Sequence, residues 1–253
     1  MLTKIQDYCD ERNNIISCGT VFESGIKVIF TGENNKLVIH PEVRTKNLTI
    51  MFDCDGGYCE IGKNTFSGTV RVGLECSVKI GSGINCTSPA YISAAERVSV
   101  YLGDDIMIAS QVEIRADDGH PIFDVTTRKR INLPKDVKIG NHVWLGAYTR
   151  ILGGTTIGDG SVVGISSVVK GKFPNNCVVV GVPGKVVRKN IAWERPHLTL
   201  TKPYYKDDPD SIALTNYWNL TVEDAPSVDS LKPASQVTIG SRLLMMLQVF
   251  KFW

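Results

Sequence analysis

Residues 139–174 divide into six hexads: I-G-N-H-V-W (139–144), L-G-A-Y-T-R (145–150), I-L-G-G-T-T (151–156), I-G-D-G-S-V (157–162), V-G-I-S-S-V (163–168) and V-K-G-K-F-P (169–174). The first position is always aliphatic: Ile139, Leu145, Ile151, Ile157, Val163 and Val169. The second is glycine at Gly140, Gly146, Gly158 and Gly164, and the fifth is Val143, Thr149, Thr155, Ser161 and Ser167, with Phe173 the exception. Neither the 3.6-residue helix nor the two-residue strand has this period. A chain that turns a corner every six residues does. Each hexad then forms one flat side of a triangular coil, the aliphatic residue fills the axis, and the small fifth residue also points inward. Glycine is expected to ease corners that require positive φ. Three hexads close a coil, and coils stack through parallel hydrogen bonds, each protecting the next. The fold expected is all-β, a parallel β-helix.

Outward from this stretch the pattern weakens. An earlier array puts Val72, Val78, Ile84, Ala90, Glu96, Leu102, Ile108 and Ile114 at first positions. Glu96 breaks the rule, so a bulge or register change is expected near 94–99. Over residues 26–66, K-V-I-F, K-L-V-I-H, L-T-I-M-F and C-E-I-G read as strands of less regular coils, with turns in G-E-N-N and C-D-G-G. The two arrays are out of step, because the 25 residues from Ile114 to Ile139 are one more than four hexads. Residues 115–138 are polar and contain proline, and read as a loop extruded from the coil, where chemistry would sit on a rigid scaffold. The repeats stop near residue 189. Residues 190–253 read as a C-terminal extension without a period, ending in the apolar L-L-M-M-L-Q-V-F-K-F-W (243–253), a short helix or strand.

Composition narrows the function classes. With 253 residues, 43% hydrophobic and 21% charged, the chain reads as a soluble globular protein, and a net charge of +2 makes no electrostatic case for nucleic acid as partner. The N-terminal M-L-T-K-I-Q-D-Y-C-D-E-R lacks a signal-peptide core, and no apolar run approaches the roughly 20 residues that span a bilayer. The seven cysteines are odd in number and include no C-x-x-C pair. They read as reduced and mostly buried, in a cytoplasmic protein. No metal site is expected.

The stretches I-G-N-H-V-W-L-G (139–146), T-I-G-D-G-S-V-V-G-I-S-S-V-V (156–169) and G-V-P-G-K-V-V-R (181–188) resemble the hexapeptide-repeat acetyltransferases. Their fold is a left-handed parallel β-helix. The D-G-H-P-I-F-D (118–124) and R-I-N (130–132) signatures resemble the branch that O-acetylates bacterial capsular and cell-surface polysaccharides, including sialic acid polymers. The motif resemblance covers about residues 100–190 and the fold resemblance reaches back to about residue 26. It divides the chain into a β-helix acyltransferase domain (1–189) and the extension (190–253).

The resemblance implies an enzyme that uses acetyl-CoA and a sugar or polysaccharide acceptor; the flat sides of a triangular coil tile about a three-fold axis, so a homotrimer with sites between subunits is expected. His120, in the extruded loop, stands where the family carries its catalytic histidine; an imidazole can take the acceptor's proton and return one to the thiolate. Asp117, Asp118 or Asp124 would orient the ring, or else a backbone carbonyl would. Trp144 projects from the coil at the position that shapes the acceptor or pantetheine channel. The main-chain N–H near Ala147 would meet the oxyanion. Ile165 and Ser166 lie where the pantetheine arm runs, Ile165 replacing a smaller residue. Lys170, Lys172, Lys185 and Arg188 would meet the phosphates. His142 reads as a surface or interface residue.

Other readings stay open on the residues alone. A γ-type carbonic anhydrase shares the fold but needs three histidines around zinc; His40, His120, His142 and His197 show no pair at its close spacing. A non-catalytic β-helix binding protein, or an acetyltransferase for a sugar amine or another small molecule, would use the same scaffold. A serine acetyltransferase begins with a long helical domain, whereas this N-terminus is strand-like. The apolar tail at 243–253 is expected to pack within the trimer, with peripheral docking on a membrane as the alternative.

Overall fold

The computed structural model describes residues 1–223. Apart from one 3-10 turn at Pro209–Ser211, its regular elements are all strands, gathered into sheets of nine, seven and six. The chain visits the three sheets in rotation. In one late coil it runs from Val137–Ile139 on the first face to Trp144–Leu145 on the second and Arg150–Leu152 on the third, then returns to the first at Thr156–Ile157. Successive visits to a face pair in parallel, giving a left-handed β-helix of about seven turns. Antiparallel pairs close its two ends: Tyr8–Cys9 on Ile15–Ser17, and Cys177–Gly181 on Gly184–Lys189.

The in-register pairing stacks like on like along the axis. On the first face Ile39, Ile61, Ile80, Leu102, Ile139, Ile157 and Phe173 form one column. On the third, Val28, Ile50, Val70, Ile92, Ile114, Ile151 and Val169 form another. On the second, Cys86, Ile108, Leu145, Val163 and Val179 form the last. All six aliphatic first positions of residues 139–174 are fully buried. Each stabilises the coil by roughly 1.5–3 kcal/mol relative to an exposed side chain.

The spacing along these columns explains why the period is clear late and faint early. Ile139 to Ile157 and Ile151 to Val169 are both 18 residues, three hexads. Val70 to Ile92 and Ile92 to Ile114 are both 22, because the early corners take extra residues. One such corner is at Glu96 and Arg97, which both adopt left-handed φ (62° and 60°) within the expected 94–99 region. Phe173 departs from the hexad frame: it pairs with Ile157 and so occupies an axial position only four residues after Val169.

The glycine expectation is corrected. Gly140, Gly146, Gly158 and Gly164 do not have positive φ; five of the six residues of 139–174 with positive φ, His142, Tyr148, Gly154, Gly160 and Ser166, are each at the fourth position of their hexad, and the sixth, Gly171, is at a third. On the first and second faces the second position takes glycine because coils meet there, whereas on the third face Leu152 and Lys170 occupy it. A Cβ at Gly146 would lie 2.6 Å from the Val163 carbonyl oxygen, and one at Gly158 would lie 2.5 Å from the Asn175 nitrogen.

Beyond residue 189 the chain folds back over the corner between the first and second faces. Asn176 donates to the carbonyls of Ile191 (2.9 Å) and Tyr217, and Asn175 donates to that of Leu220 (3.0 Å). Lys189 pairs with Glu223. The apolar segment 243–253 lies outside the described residues. Cys18, Cys59, Cys76 and Cys177 are buried and Cys86 is half-buried, whereas Cys9 and Cys54 are exposed, and none of the seven is in a disulfide. Among the described residues no helix is long and apolar enough to cross a membrane.

Candidate active site

The extruded segment leaves the third face after Glu113–Arg115 and rejoins the first at Val137–Ile139. Its tip is a small hairpin: Phe123 bridges Arg130, and Ile131 N–H donates to the Ile122 carbonyl (2.9 Å). Two ties hold it along the coil edge. Ser93 Oγ donates to Asp117 Oδ2 (2.8 Å), and Arg130 pairs with Glu96 (2.8 Å). That hydrogen bond from Arg130 holds the Glu96 carboxyl below its ordinary range and raises Arg130 in return.

Asn132 clasps the loop from within. Its side-chain NH2 donates to the His120 carbonyl (2.8 Å) and to Asp118 Oδ2 (3.1 Å), and its Oδ1 accepts from Ile122 N–H (2.7 Å). The backbone on both sides of His120 is thus fixed, while the residue itself is exposed. None of the three aspartates bonds its ring. Asp117 holds Ser93 and Gly119 N–H, and Asp118 takes Asn132. Asp124 accepts from the N–H groups of Thr127 and Thr126, which hold its carboxyl low. Arg130 and Asn132 were legible only as a signature, R-I-N; their partners lie too far along the chain for spacing to reveal.

Trp144 lies on the second face, 38% exposed, as expected of a residue that projects from the coil. At the next corner Ala147 accepts from Ser166 N–H (2.8 Å), so Ala147 and the pair Ile165–Ser166 sit on adjacent coils. The Ala147 N–H itself has no partner among the described residues. Ile165 is 68% exposed. Lys185 pairs with Val180, whose side chain covers Gly164, so this lysine stands two rungs from that glycine; Arg188 follows on the same exposed strand. Lys170 and Lys172 are exposed at a different corner, between the third and first faces.

The structure corrects the reading of His142. It is fully buried, sandwiched between Trp193 (4.1 Å between ring centroids) and Tyr217 (4.7 Å). Its Nδ1 meets Asp105 Oδ2 at 2.6 Å, and its Nε2 meets the Trp193 carbonyl at 2.9 Å. Trp193 Nε1 donates back to the His142 carbonyl (3.0 Å), and Arg195 Nε donates to the other Asp105 oxygen (2.6 Å). The ring looks outward on the bare coil; the C-terminal segment covers it. Trp193 also touches Trp144, their rings 5.9 Å apart and tilted by 47°. Sequence reasoning missed this clamp because Trp193 and Arg195 lie outside any repeat. The other histidines are elsewhere: His40 caps the Glu42 N–H and His197 caps Thr199. Among the described residues no cluster of three or more His, Cys, Asp or Glu is placed to hold a metal.

Topology separates the two central candidates. His120 projects from the edge between the third and first faces, and in a triangular prism that edge is opposite the second face, which carries Trp144. Within the chain no hydrogen bond, ion pair or ring contact links the two residues.

Residues 136–171 match the family described as bacterial transferase hexapeptide (six repeats). The chain is 38% identical over 100 residues to the polysialic acid O-acetyltransferase of Escherichia coli O1:K1 / APEC, covering 40% of this chain and 33% of that one. It is 37% identical over 157 residues to a putative lipopolysaccharide biosynthesis O-acetyl transferase, WbbJ, of Escherichia coli K12, covering 55% of this chain and 78% of the other. It therefore spans a third of the first relative's length and over three quarters of the second's. Among solved structures, the polySia specific acetyltransferase NeuO superposes with a TM-score of 0.67 at 32% identity, over 74% of this chain and 81% of that one.

Proposed function

Since this chain belongs to the hexapeptide-repeat acetyltransferase family, we propose that it transfers acetyl from acetyl-CoA to a hydroxyl of a sugar in a bacterial capsular or surface polysaccharide, with His120 as general base. The observation that carries the proposal is the placement of His120: an exposed imidazole on a clasped backbone, opposite a face that carries a partly exposed tryptophan. The acceptor class rests on two relatives more than 30% identical to this chain, a polysialic acid O-acetyltransferase and a putative lipopolysaccharide biosynthesis O-acetyl transferase.

In this reading the His120 ring takes the acceptor hydroxyl proton as the oxygen attacks the thioester carbonyl. The oxyanion that forms accepts from the Ala147 N–H, which the coil leaves unpaired. Collapse breaks the carbon–sulfur bond, and the proton on His120 passes to the departing thiolate. Ile165 and Ser166 would line the pantetheine arm; Lys185 and Arg188 would meet the phosphates, with Lys170 and Lys172 farther away. Trp144 would wall the acceptor.

Because one chain keeps His120 and Trp144 apart, the working enzyme is proposed as a homotrimer in which the loop of one subunit meets the second face of the next. The exposed apolar residues of the loop, among them Ile122, Phe123 and Val125, suit that contact. We place the enzyme in the cytoplasm, where acetyl-CoA is made, with residues 1–189 as catalytic coil and 190–253 as extension. The apolar tail at 243–253 would pack within the trimer, with docking on a membrane surface as the alternative. The test is mass spectrometry of capsular and surface oligosaccharides, including oligosialic acid, after incubation with acetyl-CoA. An ester-linked acetyl on a sugar supports the reading, and loss of that product in His120→Ala ties it to this loop. Acetyl-CoA turnover with no sugar modified, or full activity in His120→Ala, refutes it.

A further inference from the structure

On the second face, Asn85 pairs with Met107 and Met107 with Trp144, so Asn85 stands two rungs from the tryptophan, about 10 Å at the ~4.8 Å spacing of paired strands. Beside Asn85 the early coils enclose a hollow of about 370 Å³, lined by Arg44, Lys63, Glu42, Thr65 and Asn85 among others. That volume is at the small end of ligand pockets and suits a single sugar unit.

Two of the three charged side chains that line the hollow, Arg44 and Lys63, are cationic, and Glu42 is the third. Lys63 is paired with Glu42 (2.9 Å), whose carboxyl is held low by that bond and, more weakly, by the charge of Arg44; the Arg44 guanidinium itself makes no hydrogen bond or ion pair among the described residues. Asn85 is fixed from behind: its Oδ1 accepts from Arg195 Nη1 (2.5 Å), and Arg195 also donates to the Gly83 carbonyl (3.1 Å). With the oxygen occupied, Asn85 has its NH2 to offer. A guanidinium whose hydrogen-bond donors are unused, beside an amide donor, is suited to a carboxylate, which a guanidinium can hold through two parallel bonds. Arg195 is itself held by Asp105, so the C-terminal clamp braces Asn85 and Gly83 of this hollow as well as backing Trp144.

We propose that the hollow is an acceptor subsite for a carboxylate-bearing sugar unit, with Arg44 as its specificity-determining residue. The proposal rests on the polysaccharide reading above. A polymer lying along the second face, with its reacting unit at Trp144, would carry a unit a few residues away over Arg44. Long acidic acceptors would then bind better than short ones, and the gain would come from charge.

The experiment compares acidic oligosaccharides of increasing length, and their carboxyl-reduced counterparts, as acceptors for wild type and Arg44→Ala. Wild type is expected to show KM falling with length for the acidic series. Arg44→Ala should raise KM for the long acidic acceptors about 5–20-fold, the loss of a charge-assisted contact. Its kcat, its KM for acetyl-CoA and its activity on the shortest acceptors should stay unchanged. Calorimetric binding of the long acceptors to His120→Ala protein, with and without Arg44→Ala, reads the subsite independently of turnover. An unchanged KM and affinity in Arg44→Ala overturns the subsite. So does an equal loss for the carboxyl-reduced series, or a changed oligomeric state in sedimentation. Failure of wild type to acetylate any oligosaccharide in the series refutes the functional reading instead.

Discussion

The buried imidazole of His142 and the indole of Trp193 lie nearly parallel, 12° apart, and each donates to the other's backbone carbonyl. The C-terminal segment is thereby locked to the coil, 51 residues away in sequence, beside Trp144. Breaking a buried network of this kind costs about 2–4 kcal/mol. His142→Ala is predicted to release residues 190–223 from the coil. Trypsin should then cut at Lys206 at least about tenfold faster, while the coil stays folded by circular dichroism. An unchanged cleavage rate would show that the segment is held by other contacts.

Asn132 is predicted to set the position of His120 without touching substrate. Its loss frees the His120 carbonyl and the Ile122 N–H at once. Displacement of a general base by about 1 Å can cost on the order of 10²-fold in rate. Asn132→Ala should therefore lower kcat by roughly 10–100-fold and leave KM for acetyl-CoA unchanged. A fall in acetyl-CoA affinity with kcat preserved would contradict this role.

Much of this arrangement was legible in the sequence, and the remainder was not for identifiable reasons. The hexads of 139–174 placed Ile139 to Val169 on the axis because three hexads make one 18-residue coil there. The earlier coils were blurred because 22-residue coils carry extra corner residues such as Glu96 and Arg97. His120, Trp144 and Ala147 could be placed from motifs. His142 could not, because its burial depends on Trp193 and Tyr217, which no periodicity connects to it. The same holds for the ties of the loop: Ser93 with Asp117 and Glu96 with Arg130 join residues 24 and 34 apart.

The loop tie gives a pH prediction. Glu96 is held below its ordinary value of 4.5 by the hydrogen bond from Arg130. A depressed carboxyl contributes stability that is present above its unfolded pKa and is lost as pH falls through the folded one. Exchange of the loop peptide 116–136, followed by mass spectrometry and corrected for intrinsic rate, should accelerate below about pH 4.5. Glu96→Gln should exchange faster at neutral pH and show a smaller acid response. Identical acid profiles for the two proteins would remove Glu96 from the account.

Two threonines at equivalent hexad positions should respond oppositely to loss of the hydroxyl. Thr149 Oγ1 is buried without a hydrogen-bond partner, whereas Thr155 Oγ1 donates to the carbonyls of Leu152 (2.6 Å) and Val169 (3.0 Å). Val143 shows that the position accepts valine. Thr149→Val is expected to stabilise the protein by about 1 kcal/mol, and Thr155→Val to destabilise it by a similar amount. Denaturant midpoints measure both. A destabilised Thr149→Val would mean that its hydroxyl has a partner in the assembled protein.

The central claim is that His120 and Trp144 of one site come from different subunits, and subunit complementation tests it most directly. His120→Ala and Trp144→Ala proteins, each inactive alone, are unfolded together, refolded as a one-to-one mixture and assayed for acetyl transfer. If neighbours share a site, a site is intact when one subunit supplies His120 and the next supplies Trp144. Random assembly of a closed ring makes about a quarter of the sites intact. The account predicts recovery of about a quarter of the activity of refolded wild type. No recovery, with mixed trimers verified by mass spectrometry, would place both residues in one chain's site and contradict it.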